Sequence, residues 1–218
     1  MIILDNKLPC LVVLVWQLSQ TLNAEPEKIR FDHLSLEQGV SHNLVFSIHQ
    51  DRHGLMWFGT MYGLVKYDGR QYTVYRHDPR DEHSISFNDV IAIYEDRQGK
   101  LWVGTWGGGL NKFDPASGKF TRYLHDPNDS TSLSYNIVWA ICEDKFGEIW
   151  IGTEAGLDRL IAGSRQSEPR EGAKEKFIHY SFESLRPDNF RKAAIRAIHE
   201  DRTGRLWVGT FGNGLQLF

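Results

Sequence analysis

The sequence lacks several features that mark common classes of protein. Only two of its 218 residues are cysteines, Cys10 and Cys142, so no disulfide framework is expected. No run of 18 apolar residues is present, and the sequence therefore predicts no transmembrane helix. The net charge is −3 and no basic stripe stands out, so no nucleic-acid or polyphosphate partner is expected.

An apolar period of 3.6 residues is also missing, which argues against an α-solenoid. Instead, one sequence motif occurs four times, at 47–64, 92–110, 140–157 and 197–215. Its tryptophan recurs at separations of 45, 48 and 57 residues, as Trp57, Trp102, Trp150 and Trp207. A period near 45 residues, built from short strands and glycine turns, is typical of β-propeller blades.

The second repeat shows how such a unit forms a blade. Val90 to Asp96 and Leu101 to Thr105 are predicted strands joined by a tight turn, in which Asp96 caps backbone amides. Two further strands are predicted, from Leu110 to Asp114 and from Phe120 to Tyr123. Four strands in each unit predict an all-β fold with four four-stranded antiparallel blades.

The predicted domains are a signal peptide, residues 1–24, and a propeller region, residues 25–218, with blades near 31–70, 72–118, 120–162 and 177–218. A polar insertion at 162–176 is predicted to be an exposed loop. An outer-type strand is predicted from Phe31, whereas the fourth repeat has none of its own. Residues 29–34 could complete that blade and close a four-bladed ring. We favour instead a fragment or truncated form of a wider ring, and an open arc of four blades would leave an apolar blade face in water at one or both ends.

The first 24 residues resemble a secretory signal peptide. Lys7 precedes an apolar stretch from Leu8 to Trp16, and cleavage is predicted after Ala24. Asp5 and Leu22 depart from the usual pattern, and a membrane-proximal anchor or a misassigned start are the alternatives. On the export interpretation the chain is periplasmic and is not inserted in a membrane after signal removal.

Several residue patterns that suggest chemistry repeat in every unit. A catalytic carboxylate pair is needed once, yet similar pairs stand at the same turn three times, as Glu95-Asp96, Glu143-Asp144 and Glu200-Asp201. Cys142 occupies a position that is His or Tyr in the other repeats, which indicates packing rather than a nucleophile. The nine histidines do not cluster at metal spacing, and the run Gly107-Gly108-Gly109 precedes no helix that could cradle phosphate. No catalytic residue, metal or cofactor is therefore predicted.

The turns between the second and third strands differ among repeats that are otherwise alike. They carry the candidate ligand-binding residues, at one rim of the blades: Tyr62, Trp106, Glu154, Phe211 and Asn213. Aromatic faces beside polar groups suit stacking on sugar rings. The alternatives are another small ligand, a partner domain, or aromatic side chains that only cover the core.

The pattern D-R-x-G-x-L/I-W-V/I/F-G-T-x-x-G-L resembles the two-component regulator propeller repeat. The connectors His77-Asp78-Pro79 and His125-Asp126-Pro127 match that family too, and their histidines are predicted to brace loops. The resemblance implies part of a seven-bladed ring in the periplasmic sensor region of a bacterial receptor. It also implies frequent polysaccharide sensing, and a histidine kinase or diguanylate cyclase further along the receptor.

No kinase motif, cyclase motif or nucleotide-binding glycine box occurs in these 218 residues. The leading hypothesis is therefore a non-catalytic ligand-sensing propeller segment of a signal-transduction receptor. Its expected partners are an oligosaccharide or other small ligand, and downstream receptor domains or another propeller chain. The alternative is an exported carbohydrate- or protein-binding propeller without a signalling role. An enzyme on a propeller would need catalytic residues that do not repeat, and none stands out.

Overall fold

The computed structural model describes residues 44–161, 175–180 and 194–218, and these residues form strands and turns without a helix. The chain divides after Leu34 into two compact units, and every described residue belongs to the second. The predicted signal peptide, the strand expected from Phe31 and most of the 162–176 insertion lie outside the described residues. No helix among the described residues has the length and apolarity that a membrane crossing requires.

In the described residues, fifteen strands form four sheets, which we number as blades 1 to 4. Blade 1 contains β1 (Val45–Gln50), β2 (Met56–Thr60), β3 (Gly63–Tyr67) and β4 (Tyr72–Tyr75). Blade 2 contains β5 (Val90–Glu95), β6 (Leu101–Thr105), β7 (Leu110–Asp114) and β8 (Lys119–Tyr123). Blade 3 contains β9 (Val138–Glu143), β10 (Ile149–Thr153), β11 (Gly156–Ile161) and β12 (Lys176–Tyr180). Blade 4 contains β13 (Ile195–Glu200), β14 (Leu206–Thr210) and β15 (Gly214–Leu217).

Each sheet is an antiparallel meander in chain order, with four strands in blades 1 to 3 and three described strands in blade 4. The predicted all-β propeller fold is confirmed. The strand from Tyr72 pairs with β3, so blade 1 runs from Val45 to Tyr75. The unit bounds given above place Tyr72 at the head of the second unit instead. The size of the complete ring stays a prediction.

The hydrophobic core lies between neighbouring blades, because the second strand of each blade is apolar on both faces. All five residues of β6 and of β10 are buried. Trp57 of blade 1 packs with Val103 and Phe113 of blade 2, and its ring centroid lies 5.6 Å from that of Phe113. The same kind of cluster forms where Trp102 meets blade 3 and where Trp150 meets blade 4.

The aspartate that opens each tight turn does more than cap backbone amides. Asp96 Oδ1 accepts hydrogen bonds from the amides of Gln98 and Lys100, as the sequence predicts. Its Oδ2 accepts a further bond, 2.8 Å long, from the indole nitrogen of Trp102. The same indole bond occurs in the other three blades, from Trp57 to Asp51, from Trp150 to Asp144 and from Trp207 to Asp201. Each carboxylate therefore fixes both the turn and the core tryptophan.

Neighbouring blades are also joined by polar contacts between their turns. Arg52 of blade 1 donates its Nε–H to Glu95 Oε1 of blade 2 at 2.6 Å and its backbone N–H to Oε2 at 2.9 Å. In the next junction the amide of Arg97 donates to Glu143 at 2.8 Å. Glu95 and Glu143 of the repeated acid pairs thus join blades, and each aspartate orders a turn.

Both ends of the blade series present apolar side chains to solvent in the described residues. Ile48 of β1 is 64% exposed, whereas its counterpart Ile93 packs against the core between blades 1 and 2. At the other end Leu215 is 65% exposed, and Trp207 is half-buried although the other three repeat tryptophans are buried. Apolar side chains are thus exposed at both ends of the described blade series, and the open arc itself stays a prediction.

Candidate functional site

The turns between the second and third strands are held by a threonine at the end of the second strand. In blade 2, Thr105 Oγ1 donates to the carbonyl of Gly109 at 2.9 Å and accepts from the amide of Gly108 at 3.1 Å. The amide of Trp106 donates to the carbonyl of Asp89 at 2.9 Å. These bonds hold the residue after the threonine at the start of the turn. The corresponding residues of the next two blades are Glu154 and Phe211.

A β-bulge in each innermost strand supplies a second side chain at the same rim. The pairing register of β9 with β10 shifts at Trp139, and that of β13 with β14 shifts at Arg196. A bulge leaves one residue outside the ladder and re-aims its side chain. The corresponding residues in blades 1 and 2 are Phe46 and Ile91.

Turn and bulge residues of three blades meet in one group, which we call the rim cluster: Trp106, Trp139, Glu154, Arg196 and Phe211. The rings of Trp106 and Trp139 meet edge to face, with centroids 4.8 Å apart. The Arg196 guanidinium lies 3.3 Å from the Trp139 ring centroid and 5.2 Å from that of Phe211. Such stacking of a cation on aromatic faces is attractive.

Glu154 provides the negative charge of the rim cluster. Its Oε2 accepts a hydrogen bond from the Trp139 indole nitrogen at 2.8 Å and lies 3.6 Å from Arg196 Nη2. The arginine is therefore held between an aromatic face and a carboxylate. About a third of each of these two charged side chains is exposed to solvent, so both remain accessible to a polar ligand.

Two aromatic side chains of the rim cluster are exposed to solvent. Trp106 is 47% exposed and Phe211 is 65% exposed, although large apolar groups are usually buried when packing allows. An exposed aromatic face beside a carboxylate and a guanidinium can stack on a flat or ring-shaped ligand and hydrogen-bond its substituents.

Three of the five predicted site residues, Trp106, Glu154 and Phe211, lie in the rim cluster. Tyr62 occupies the corresponding turn of blade 1 and is 39% exposed. Asn213 lies in the turn of blade 4, where its backbone carbonyl accepts a hydrogen bond from the Gln216 side chain at 3.2 Å. Ligand binding by any of the five stays a prediction.

Sequence reasoning missed Trp139 and Arg196. Their position depends on a bulge, and strand periodicity does not reveal bulges. One signal was available. The residues at the same repeat position in the first two repeats are the apolar Phe46 and Ile91, so the arginine of the fourth repeat differs in character.

Other groups considered in the sequence have structural contacts. Cys142 is buried, and desolvation raises the pKa of its thiol, which disfavours the reactive thiolate. His77 Nδ1 lies 2.9 Å from the carbonyl of Ile85, and His125 Nδ1 lies 2.8 Å from that of Leu133, so both brace their connectors. The part of the chain that the structure describes contains no group of three or more His, Cys, Asp or Glu arranged to hold a metal ion.

Comparisons with known proteins match these repeats and this fold. The two component regulator propeller family matches residues 39–62, 84–107, 132–155 and 189–212. A curated protein, Histidine kinase P4 of Formosa agariphila, is 39% identical over 73 residues, which are 34% of this chain and 5% of the kinase.

Two solved structures from B. thetaiotaomicron are similar over most of the chain. The extracellular domain of the hybrid two component system BT3049 is 30% identical, with a TM-score of 0.70, over 86% of this chain and 25% of that domain. The extracellular domain of BT4673 is 25% identical, with a TM-score of 0.67, over 87% of this chain and 26% of that domain. The chain thus spans about a quarter of either domain. With its four matched repeats, it belongs to the two component regulator propeller family.

Proposed function

We propose that this chain is a non-catalytic, extracytoplasmic propeller segment that senses a ligand at its rim cluster for a signal-transduction receptor. The observation that carries the proposal is the exposed Trp106 ring, next to an Arg196–Glu154 pair that stacks on Trp139. Two solved relatives are extracellular domains of two component systems, which supports an exported sensor. The signal peptide proposed for residues 1–24 agrees with export.

Oligosaccharides are the ligand class that we propose for the rim cluster. Sugar rings stack on exposed aromatic faces, and their hydroxyl groups pair with carboxylate and guanidinium groups. The rim cluster joins residues of blades 2, 3 and 4, so one bound ligand would contact three blades. Binding that favours one arrangement of these blades shifts the population toward it, and a receptor domain that contacts the blades can respond to that shift.

A glycan array probed with the 218-residue chain tests the proposed ligand class. We expect selective binding that is lost in Trp106→Ala and Phe211→Ala. The matched control is Phe146→Ala, which removes an aromatic ring that is 64% exposed in the turn between β9 and β10, outside the rim cluster. Array binding that persists in both rim variants, or falls equally in the control, would contradict the proposal.

The alternative, an exported binding propeller without a signalling role, uses the same rim chemistry. The coding sequence that continues past codon 218 distinguishes the two. The proposed receptor requires further repeats, a membrane span and a kinase or cyclase domain in that reading frame. A stop codon followed by unrelated genes would favour the alternative.

A further inference from the structure

A cleft opens between blades 1 and 2 at the end of the sheets opposite the rim cluster. This first cleft has a volume of about 180 Å³, and its lining includes Trp57, Lys66 and Tyr75 of blade 1 and Gly118 of blade 2. That is room for about six water molecules at their liquid volume. Asp51 and Glu95, whose hydrogen bonds are described above, also line it.

The corresponding second cleft, between blades 2 and 3, is occupied by a side chain of the protein itself. Lys112 and Tyr123 correspond there to Lys66 and Tyr75 in strand register. Glu175 Oε1 lies 2.9 Å from Lys112 Nζ, and the Tyr123 hydroxyl donates a hydrogen bond to Glu175 Oε2. A carboxylate therefore joins the lysine to the tyrosine.

The third cleft, between blades 3 and 4, also pairs its cation with a carboxylate. Arg159 takes the lysine position, and its Nη1 lies 2.9 Å from Glu148 Oε2. Its guanidinium also stacks on the rings of Trp150 and Tyr180. In the second and third clefts a glutamate therefore pairs with the cation. The two glutamates, Glu175 and Glu148, come from different positions in the repeat.

The first cleft has a glutamate at neither position. Gly118 stands where the second cleft has Glu175, and Leu55 stands where the third has Glu148. Within residues 44–161, 175–180 and 194–218, no carboxylate forms an ion pair with Lys66. Lys66 is half-buried, so an anionic partner would be attracted in a partly desolvated environment.

The two carboxylates that line the first cleft do not prevent an anion from binding. Asp51 is engaged by the Trp57 indole and two turn amides, and Glu95 is engaged by Arg52. In the second cleft, Asp96 and Glu143 stand at the positions that Asp51 and Glu95 hold in the first. They have the same kinds of partner, an indole nitrogen and an arginine. It nevertheless accommodates the carboxylate of Glu175.

From this internal comparison we propose that the first cleft is a binding site for a small organic carboxylate. Its carboxylate takes the place that Glu175 occupies in the second cleft, paired with Lys66 Nζ and the Tyr75 hydroxyl, and its short aliphatic part lies against Trp57. The site is separate from the rim cluster, so it does not depend on the function proposed there.

An NMR titration of the 218-residue chain with butyrate tests this site, because butyrate resembles a glutamate side chain. We expect saturable shifts of cleft resonances, and no such shifts with butyramide, the neutral isostere. Lys66→Met and Tyr75→Phe each remove one partner of the carboxylate and should raise the Kd, about tenfold for the lysine. Equal responses to butyrate and butyramide, or a wild-type Kd in both variants, would overturn the proposal.

The second cleft supplies a positive control within the same chain. Glu175→Ala empties that cleft, so this variant should bind two equivalents of butyrate where the wild type binds one. Binding of one equivalent by Glu175→Ala and none by the wild type would refute the first cleft as a site.

Gly118→Glu tests the site without an added ligand, with Gly118→Gln as its control. Both substitutions place a side chain of similar size at a residue with φ +70°, so they carry the same backbone strain. The glutamate variant should have the higher Tm and should no longer bind butyrate. An equal Tm for the two variants, with butyrate binding retained in both, would contradict the proposal.

Discussion

At the scale of single residues, Asp158 of β11 is a buried carboxyl group with one oxygen left without a hydrogen bond. Its side chain is fully buried, Oδ2 accepts a hydrogen bond from the Ser134 amide at 2.8 Å, and Oδ1 has no hydrogen-bond partner. The corresponding residue of blade 2 is Asn111, which accepts from the Ser86 amide and donates to Ser86 Oγ, both at 2.8 Å. An amide satisfies this site better than a carboxylate.

Asp158→Asn should therefore stabilise the protein at neutral pH. Burial raises the pKa of Asp158 from 3.8 to about 6, although the Ser134 amide bond and nearby His179 and His125 oppose the shift. Between these two values the unfolded chain loses a proton that the folded protein keeps, so the contribution of Asp158 to stability falls as pH rises through this range. Urea unfolding at pH 4 and pH 8 should show the gain from Asp158→Asn rising by about 2–3 kcal/mol.

Asn111→Asp is the reciprocal control and should introduce the same loss of stability with rising pH into blade 2. The wild type and Asp158→Asn differ only at this residue, so the difference between the two proteins isolates the carboxyl group. A gain that is equal at both pH values would show that the pKa of Asp158 is not raised in the folded protein.

The sequence could predict the repeated residues but not the contacts between repeats. The predicted turns agree with the turns of the structure, because turn formation depends on local residues. They contain the turn aspartates and the residues Trp106, Glu154 and Phe211. The pairing of Arg52 with Glu95 joins residues 43 positions apart and follows only from the packing of two blades. Arg196 and Trp139 meet for the same reason.

At the scale of elements, close approach between blades determines which residue the second strand can carry. A Cβ atom on Gly104 of β6 would lie 2.7 Å from the carbonyl oxygen and Cγ1 of Val138 in blade 3. Gly209 is the corresponding residue of β14, and the nearest atom to a Cβ there would be the Cβ of Ala197, in the same blade, at 3.3 Å.

Gly104→Ala should therefore destabilise the protein much more than Gly209→Ala. Overpacking at a blade junction costs about 1–3 kcal/mol, and the backbone carbonyl of Val138 cannot move aside as a side chain could. For Gly209→Ala we expect a loss below about 1 kcal/mol. Chemical denaturation of the two variants beside the wild type measures both values, and equal losses would contradict the blade packing described here.

Strand positions were the most predictable elements. In blade 2 the predicted strands 101–105 and 110–114 coincide with β6 and β7, and the other two differ by one residue at one end. Apolar alternation and glycine turns determine these bounds locally. The bulges in the innermost strands depend on pairing between strands, so their positions could not be predicted from the sequence.

At the scale of the whole molecule, the uncovered faces of blades 1 and 4 are complementary. Ile48 and Phe58 on blade 1 correspond to Ile93 and Val103, which pack against the Trp57 face inside the chain. Leu215 and Leu217 lie on the Trp207 face of blade 4. The exposed face of blade 1 in one copy of the chain can therefore pack against the exposed face of blade 4 in a second copy.

The 218-residue chain should therefore associate in a concentration-dependent way, because exposed apolar faces of this kind favour contact between molecules. Ile48→Lys places a charge in the blade 1 face and should shift the association to higher concentration. Phe146→Lys is the matched control, since Phe146 is also 64% exposed but lies in a turn. Sedimentation velocity over a range of concentrations measures the effect. Identical profiles for Ile48→Lys and the wild type would show that this face takes no part.

The junction between blades has a consequence for how such chains change over evolution. Arg52 and Glu95 stand at fixed places in one repeated line of sequence, and Arg97 and Glu143 stand at the same places in the next. A gene that gains or loses one whole repeat therefore creates a new junction from parts that already fit. Gain or loss of whole repeats can lengthen or shorten the array while the rim turns, which differ among repeats, diverge separately.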